Sequence, residues 1–148
     1  MASFTLVREI KAPPEAVFDA LTDHRRYAEM TPLRKSVLER EGDPAPNGVG
    51  SIRLLSLAGP PMREETIVYE RPSRFSYKLL SGLPVRDHVG TASLEPSAAG
   101  TTVTYAVHTM PTLPLAGGAL VAAVKLAIGQ LLDGVSAEAE RRAPAAEA

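Results

Sequence analysis

The stretch Leu113–Val135, LPLAGGALVAAVKLAIGQLLDGV, decides the fold. Between Leu113 and Leu132 it holds one charged side chain, Lys125. Leu113, Leu120, Val124, Ile128, Leu131 and Val135 recur at helical spacing, while Val121, Leu126 and Leu132 fall off that stripe. The spacing predicts one long helix, and a helix apolar on more than one side is deeply buried or paired with a partner. Pro111 and Pro114 bracket its entry, and Gly117-Gly118 near its start suit a flexible portal. The stretch is nearly long enough to span a bilayer. However, Gly117, Gly118, Lys125, Gly129 and Gln130 interrupt it, and a charge near the centre of a lipid-embedded helix costs roughly 2.5–3.5 kcal/mol. A helix packed under a sheet explains it better, so stable membrane insertion is not expected.

Working backward, the chain is a set of short alternating segments. Phe4–Ile10 alternates as a strand, with Phe4, Leu6 and Arg8 on one side. Ala12-Pro13-Pro14 breaks it, and Pro14 suits the first turn of a helix over Glu15–Thr22 that turns Val17, Phe18 and Leu21 to one face. A second short helix follows Asp23, with Tyr27 and Met30 inward, and ends at Thr31-Pro32. Strands are then predicted over Lys35–Arg40, Val49–Leu57, Arg63–Glu70, Phe75–Leu80, Val85–Leu94 and Thr101–Met110, separated by Gly- and Pro-rich turns. Consecutive strands joined by short turns make an antiparallel meander. The expected class is α+β: a curved antiparallel sheet of six to seven strands wrapped around the C-terminal helix, with two short helices after the first strand. One domain over 1–142 and a disordered tail over 143–148 complete the expectation.

Composition narrows the function. The 148 residues are 45% hydrophobic and 22% charged with a formal net charge of −1, which fits an ordinary globular domain. Without a basic patch, nucleic acid is not an expected partner. With no cysteine, thiolate catalysis and Cys-ligated zinc are excluded, and a reducing cytoplasm is the expected location. The N-terminus lacks the basic and apolar segments of a secretory signal. His24, His88 and His108 have no metal-ligand spacing, so no metal is expected. Gly48-Val49-Gly50 opens a strand rather than a helix, which fits a bend or bulge and not a dinucleotide fingerprint; no cofactor is expected.

Several stretches together resemble the helix-grip superfamily SRPBCC, which includes START lipid-transfer domains and polyketide cyclase/dehydrase-like proteins. They are Ala12–Phe18 with Leu21-Thr22-Asp23, Arg26–Pro32, Gly48–Arg53, Glu65 within its strand, Arg71–Tyr77 and Gly100–Tyr105. The resemblance covers nearly the whole chain. It implies an internal cavity between sheet and long helix, open at one end, that accepts apolar or amphipathic small molecules. It does not imply one reaction, because the fold hosts many functions.

Strand alternation nominates the cavity wall. On one strand Ser51, Arg53, Leu55 and Leu57 share a face, and on the next Glu65, Ile67 and Tyr69 do; centring the intervening turn on Ala58–Pro61 sets Arg53 opposite Glu65 as an ion pair on the concave side. The pair is either structural, or Arg53 anchors a carboxylate or enolate oxygen while Glu65 orients it or acts as base. His88 shares parity with Ala92 and Leu94 and points inward, as either a satisfied interior histidine or a general acid–base. His108 and His24 are read as exposed. Tyr69, Tyr77 and Tyr105 share inward parity, Val103 lies on the face of Tyr105, and Leu120, Val124 and Ile128 form the helical wall. The expected function is binding or carriage of a hydrophobic small molecule. Two alternatives remain: a cofactor-independent cyclase or dehydratase using Arg53, Glu65, His88 and Tyr105, and a protein-interaction module with a vestigial cavity. The leftover apolar helix face leaves a homodimer open.

Overall fold

The computed structural model describes residues 2–57 and 59–147, with side chains as far as Ala143. Seven strands form one sheet: β1 (Ala2–Ile10), β2 (Lys35–Arg40), β3 (Ile52–Ser56), β4 (Met62–Glu70), β5 (Arg74–Ser81), β6 (Val85–Pro96) and β7 (Thr101–Pro111). Their order is β1-β7-β6-β5-β4-β3-β2, every pair antiparallel, so the chain meanders and then closes its last strand on its first. Between β1 and β2 lie α1 (Pro14–Leu21), a single 3-10 turn (His24–Arg26) and α2 (Tyr27–Met30). The long helix α3 (Gly117–Glu147) crosses the concave face. This is the expected helix-grip architecture.

The helix divides into two parts. Ile128, Leu132, Val135, Ala139 and Ala143 are buried at spacings of four and three, against Val17, Phe18 and Leu21 of α1 and Ile10, Val103 and Val107 of the sheet. The first three turns have no fully buried residue. Two expectations are corrected here. Leu113 lies outside the helix and is exposed, as is Leu115, because β7 runs to Pro111 and the helix forms only at Gly117. Leu132, read as off the stripe, is a fully buried member of it at 0% exposure. The expected tail over 143–148 falls mostly outside the described side chains; the helical backbone continues to Glu147, and Ala143 is buried. By length and composition Gly117–Ala143 could cross a membrane (mean hydropathy 1.5); in this fold one stripe of its second half, Ile128, Leu132, Val135, Ala139 and Ala143, is core.

Irregularities in the sheet set which side chains face inward. β3 pairs β4 with Arg53 opposite Glu64 and Ile52 opposite Glu65. The expected Arg53–Glu65 alignment is therefore one residue out, and a one-residue slip exchanges the two faces of a strand. A bulge at Ile67 restores inward parity for Tyr69, which packs edge-on against Phe18 at 5.1 Å. On β6, an irregularity between Arg86 and Val89 separates two residues of equal parity: Arg86 is exposed and His88 is buried. Asp87 between them sits at φ 52°, a left-handed conformation that aspartate tolerates better than most residues.

The short helices are tied to α3 by charge. Glu138 contacts Arg141 and Arg142 of its own helix, and Arg26 of the 3-10 turn reaches it at 3.5 Å. Hydrogen bonds from Arg141, then from Arg142, hold its carboxyl down at about 2. A depressed carboxylate contributes stability above its ordinary range and loses it as pH falls toward the native value. Thermal unfolding followed from about pH 5 down to about pH 2 is expected to show a stability loss that Glu138→Gln removes. Leu132→Ala is expected to cost about 2–5 kcal/mol. The exposed Leu126→Ala should stay within about 0.5 kcal/mol of the parent. Denaturant unfolding of both variants checks the division of α3.

Candidate functional site

Between the sheet and the first half of α3 lies a cavity of about 280 Å³. At ~30 Å³ per water, that is room for roughly nine waters. Leu120, Val124, Ile128 and Leu131 of α3 form one wall, and Leu55, Met62 and Leu79 form part of the other. Leu57 and Pro60 are exposed lining residues at the β3–β4 connection, and Pro32 is another after α2, which places the opening at that end. The floor is aromatic and polar: Tyr27, Arg53, Phe75, Tyr77, His88 and Tyr105 are all buried.

Arg53 is the centre of this floor. Its side chain is 1% exposed, although it is the largest of the fully buried residues. Such a charge requires a partner, since an isolated buried ion is strongly disfavoured. Nε donates to Glu64 Oε1 at 3.2 Å, and Nη2 lies 3.0 Å from the same oxygen. Nη1 donates to Thr66 Oγ1 at 2.8 Å, which also accepts from Ser51 Oγ at 3.0 Å. Arg53 Cζ sits 5.4 Å from the ring centroids of both Phe75 and Tyr77, within cation–π range. A guanidinium has five N–H donors. At least two on Arg53 find no acceptor among the described residues. Glu64 Oε2 likewise makes no hydrogen bond among them. Burial raises the Glu64 carboxyl above its ordinary value, with Arg53 opposing the rise.

His88 is held at both nitrogens: Nε2 lies 3.2 Å from Tyr77 Oη and Nδ1 lies 3.1 Å from Thr109 Oγ1. Burial lowers its pKa, so at neutral pH the ring is uncharged. A neutral imidazole has one donor and one acceptor, and each hydroxyl can supply the complement. Gly90 makes this arrangement possible. It pairs with Tyr77 across the sheet, and a Cβ there would run into the Tyr77 ring. Burial raises the phenols of Tyr27, Tyr77 and Tyr105, which therefore stay protonated.

The structure thus gathers Arg53, Tyr77, His88, Tyr105, Leu120, Val124 and Ile128 around one cavity. It does not bring Glu65, Ile67, Tyr69 or Val103 to it. Glu65 pairs with Arg40 and Lys78 on the outer face, at 3.5 and 3.6 Å. Ile67 is 37% exposed at the bulge, and Val103 and Tyr69 lie within or against the core. The carboxylate facing Arg53 is Glu64, by the register slip described above. His108 is exposed as expected, accepting or donating to Ser3 Oγ at 2.7 Å. His24, read as exposed, is fully buried: the 3-10 turn tucks it between Tyr27 and Phe75, and Asn47 Oδ1 lies 3.3 Å from Nδ1. Its Nε2 has no partner among the described residues, and burial holds the ring well below its ordinary pKa. Glu64, Thr66 and Thr109 escaped the sequence reading, and Phe75, on the face of Tyr77, was not assigned to the site. Besides the inward parity of Tyr77 and Tyr105, Gly90, a glycine inside a strand, signals the close approach of a ring at the floor.

The ion pair yields a double-substitution test. Arg53→Ala leaves Glu64 unpaired and is expected to cost about 3–5 kcal/mol, whereas Arg53→Met with Glu64→Leu should be close to neutral or stabilising. Chemical denaturation of both proteins distinguishes a paired buried charge from one stabilised by solvent.

Residues 1–140 match the family described as polyketide cyclase / dehydrase and lipid transport. No curated protein matches the chain in sequence. Among solved structures, the di-domain ARO/CYC StfQ from the steffimycin biosynthetic pathway superposes with a TM-score of 0.77 at 16% identity, over 95% of this chain and 51% of that one. The chain therefore spans about half of that two-domain protein. Ara h 8.0201 superposes with a TM-score of 0.74 at 15% identity, over 95% and 98% of the two chains. Norcoclaurine synthase of Thalictrum flavum, a point mutant bound to a transition-state analogue, gives 0.73 at 13% identity, over 95% of each chain. At these identities the likeness is one of fold. The match along almost the entire sequence, with the gripped helix and the cavity beneath it, shows that the chain belongs to the polyketide cyclase / dehydrase and lipid transport family within SRPBCC.

Proposed function

We propose that this protein binds a hydrophobic or amphipathic small molecule in the cavity under α3, as a binding or carrier protein. One observation carries the reading: an apolar cavity whose closed end presents a buried guanidinium with at least two unused N–H donors. Apolar walls supply affinity by area removed from water, and a few convergent polar groups fix orientation. The neighbouring solved structures include an ARO/CYC and a norcoclaurine synthase, and the family description names lipid transport, all consistent with a ligand held in this space. The interaction-module reading is less favoured, because it needs a filled cavity.

A second reading rests on Glu64. Its unused Oε2 and raised carboxyl stand beside Arg53. A ketone oxygen on the guanidinium would place an adjacent carbon near a carboxylate able to take its proton, with Arg53 stabilising the enolate. His88, engaged at both nitrogens, is less free to serve as the base. This reading replaces Glu65 by Glu64 in the cyclase or dehydratase alternative.

Native mass spectrometry of the purified protein, followed by solvent extraction, tests the main reading. A bound apolar species is expected, and Ala127→Trp, which fills the cavity from an exposed point on α3, should remove it without unfolding the protein. An empty protein that also ignores fatty, quinone and aromatic polyketide probes would sink the reading.

A further inference from the structure

We propose that the cavity selects an uncharged oxygen: the polar end of its ligand is a carbonyl or hydroxyl that accepts from Arg53, and a carboxylic acid enters only together with a proton. The inference rests on the small-molecule reading above and narrows it to a ligand class.

The argument is a charge balance. Arg53 and Glu64 face each other at 3.0 Å with side chains 1% and 12% exposed, so the floor holds one positive and one negative charge. Among the described residues, every other ionisable group turned toward the pair is neutral near pH 7. Tyr27 from α2, Tyr77 from β5 and Tyr105 from β7 are kept protonated by burial. His24 from the 3-10 turn and His88 from β6 are kept unprotonated by it. The α3 wall contributes Gln130 but no charged side chain to the lining. The remaining charges of β4 look outward: Arg63 pairs with Glu39, Glu65 with Arg40 and Lys78, and Glu70 is exposed at the strand's end.

A carboxylate arriving at Arg53 would meet a cation whose charge is already matched. The complex would carry an extra negative charge among phenol and phenyl rings, the situation that makes unpaired buried ions costly. A ketone, ester or alcohol oxygen uses the same free N–H donors and leaves the balance untouched. If an acid does bind, neutrality returns only when one proton is held, on the ligand or on Glu64. Arg53 therefore acts as a hydrogen-bond donor of fixed, compensated charge rather than as an anion receptor.

The test uses two shape-matched pairs on the full chain: methyl nonyl ketone against decanoate, and acetonaphthone against naphthoate. Calorimetry in buffers of different ionisation enthalpy counts protons directly. At about pH 8 each ketone is expected to bind at least about ten-fold tighter than its carboxylate. Carboxylate affinity should rise about ten-fold per unit down to about pH 6, the linkage for one proton taken up, while ketone affinity stays flat. Glu64→Gln leaves Arg53 uncompensated, so the carboxylates should tighten and lose their pH slope. Carboxylates that bind the unaltered protein as tightly as the ketones at about pH 8, with no proton uptake, would overturn the proposal whether or not the variant folds. If neither member of either pair binds, the small-molecule reading itself fails, an outcome distinct from failure of the selectivity.

Discussion

A guanidinium removed from water dictates most of what surrounds it. Arg53 is on a strand whose neighbours Ser51 and Leu55 are also buried, so its side chain turns to the cavity floor rather than the outer surface. It needs a counter-charge, and β4 supplies Glu64 directly across the ladder. It needs further acceptors, and Thr66 takes one N–H. It needs company that tolerates a cation, and the faces of Phe75 and Tyr77 provide it. The donors left over point the chemistry of the cavity toward oxygen. Breaking any of these arrangements leaves an ion in a poor solvent, which is why the pair contributes more to defining the floor than to net stability.

α3 serves two ends at once. Its second half is an ordinary core helix, packed against α1 and the sheet by a stripe of buried side chains. Its first half, with Leu120 and Val124 only partly covered, is a wall with empty space behind it. An apolar helix that is not fully sheathed by its own protein has surface available for a ligand, and the cavity occupies that position. The entropy of ordering the second half is offset by packing, so the first half need not be tightly held for the fold to persist.

The architecture was legible because it depends on patterns longer than any single register. Strand alternation, Pro- and Gly-rich turns and one long apolar helix survive an error of one residue, and the order of elements came out as read. The site did not share that tolerance. Moving one residue along β4 exchanges Glu64 for Glu65, so the correct idea of a buried Arg53 pair met the wrong carboxylate. The bulge at Ile67 and the kink at Asp87 shift parity within a strand, and no alternation rule carries through them. His24 misled for another reason: a polar residue between two short helices looks solvated, yet the turn folds it beneath Asn47 and against Phe75. Tyr77 and Tyr105 were found because their stretches of strand keep regular alternation around them, and His88 because the strand alternates regularly from it to Leu94.

Gly90 gives the floor its character by lacking a side chain. The ring of Tyr77 occupies the place where a methyl group would be, and from there its hydroxyl closes off Nε2 of His88. With the other nitrogen engaged by Thr109, the imidazole is quiet. An alanine at that point would displace the ring and uncover a neutral, buried base beside a compensated guanidinium. Within this scaffold, then, the engagement of His88 hangs on a single missing carbon atom at one strand position.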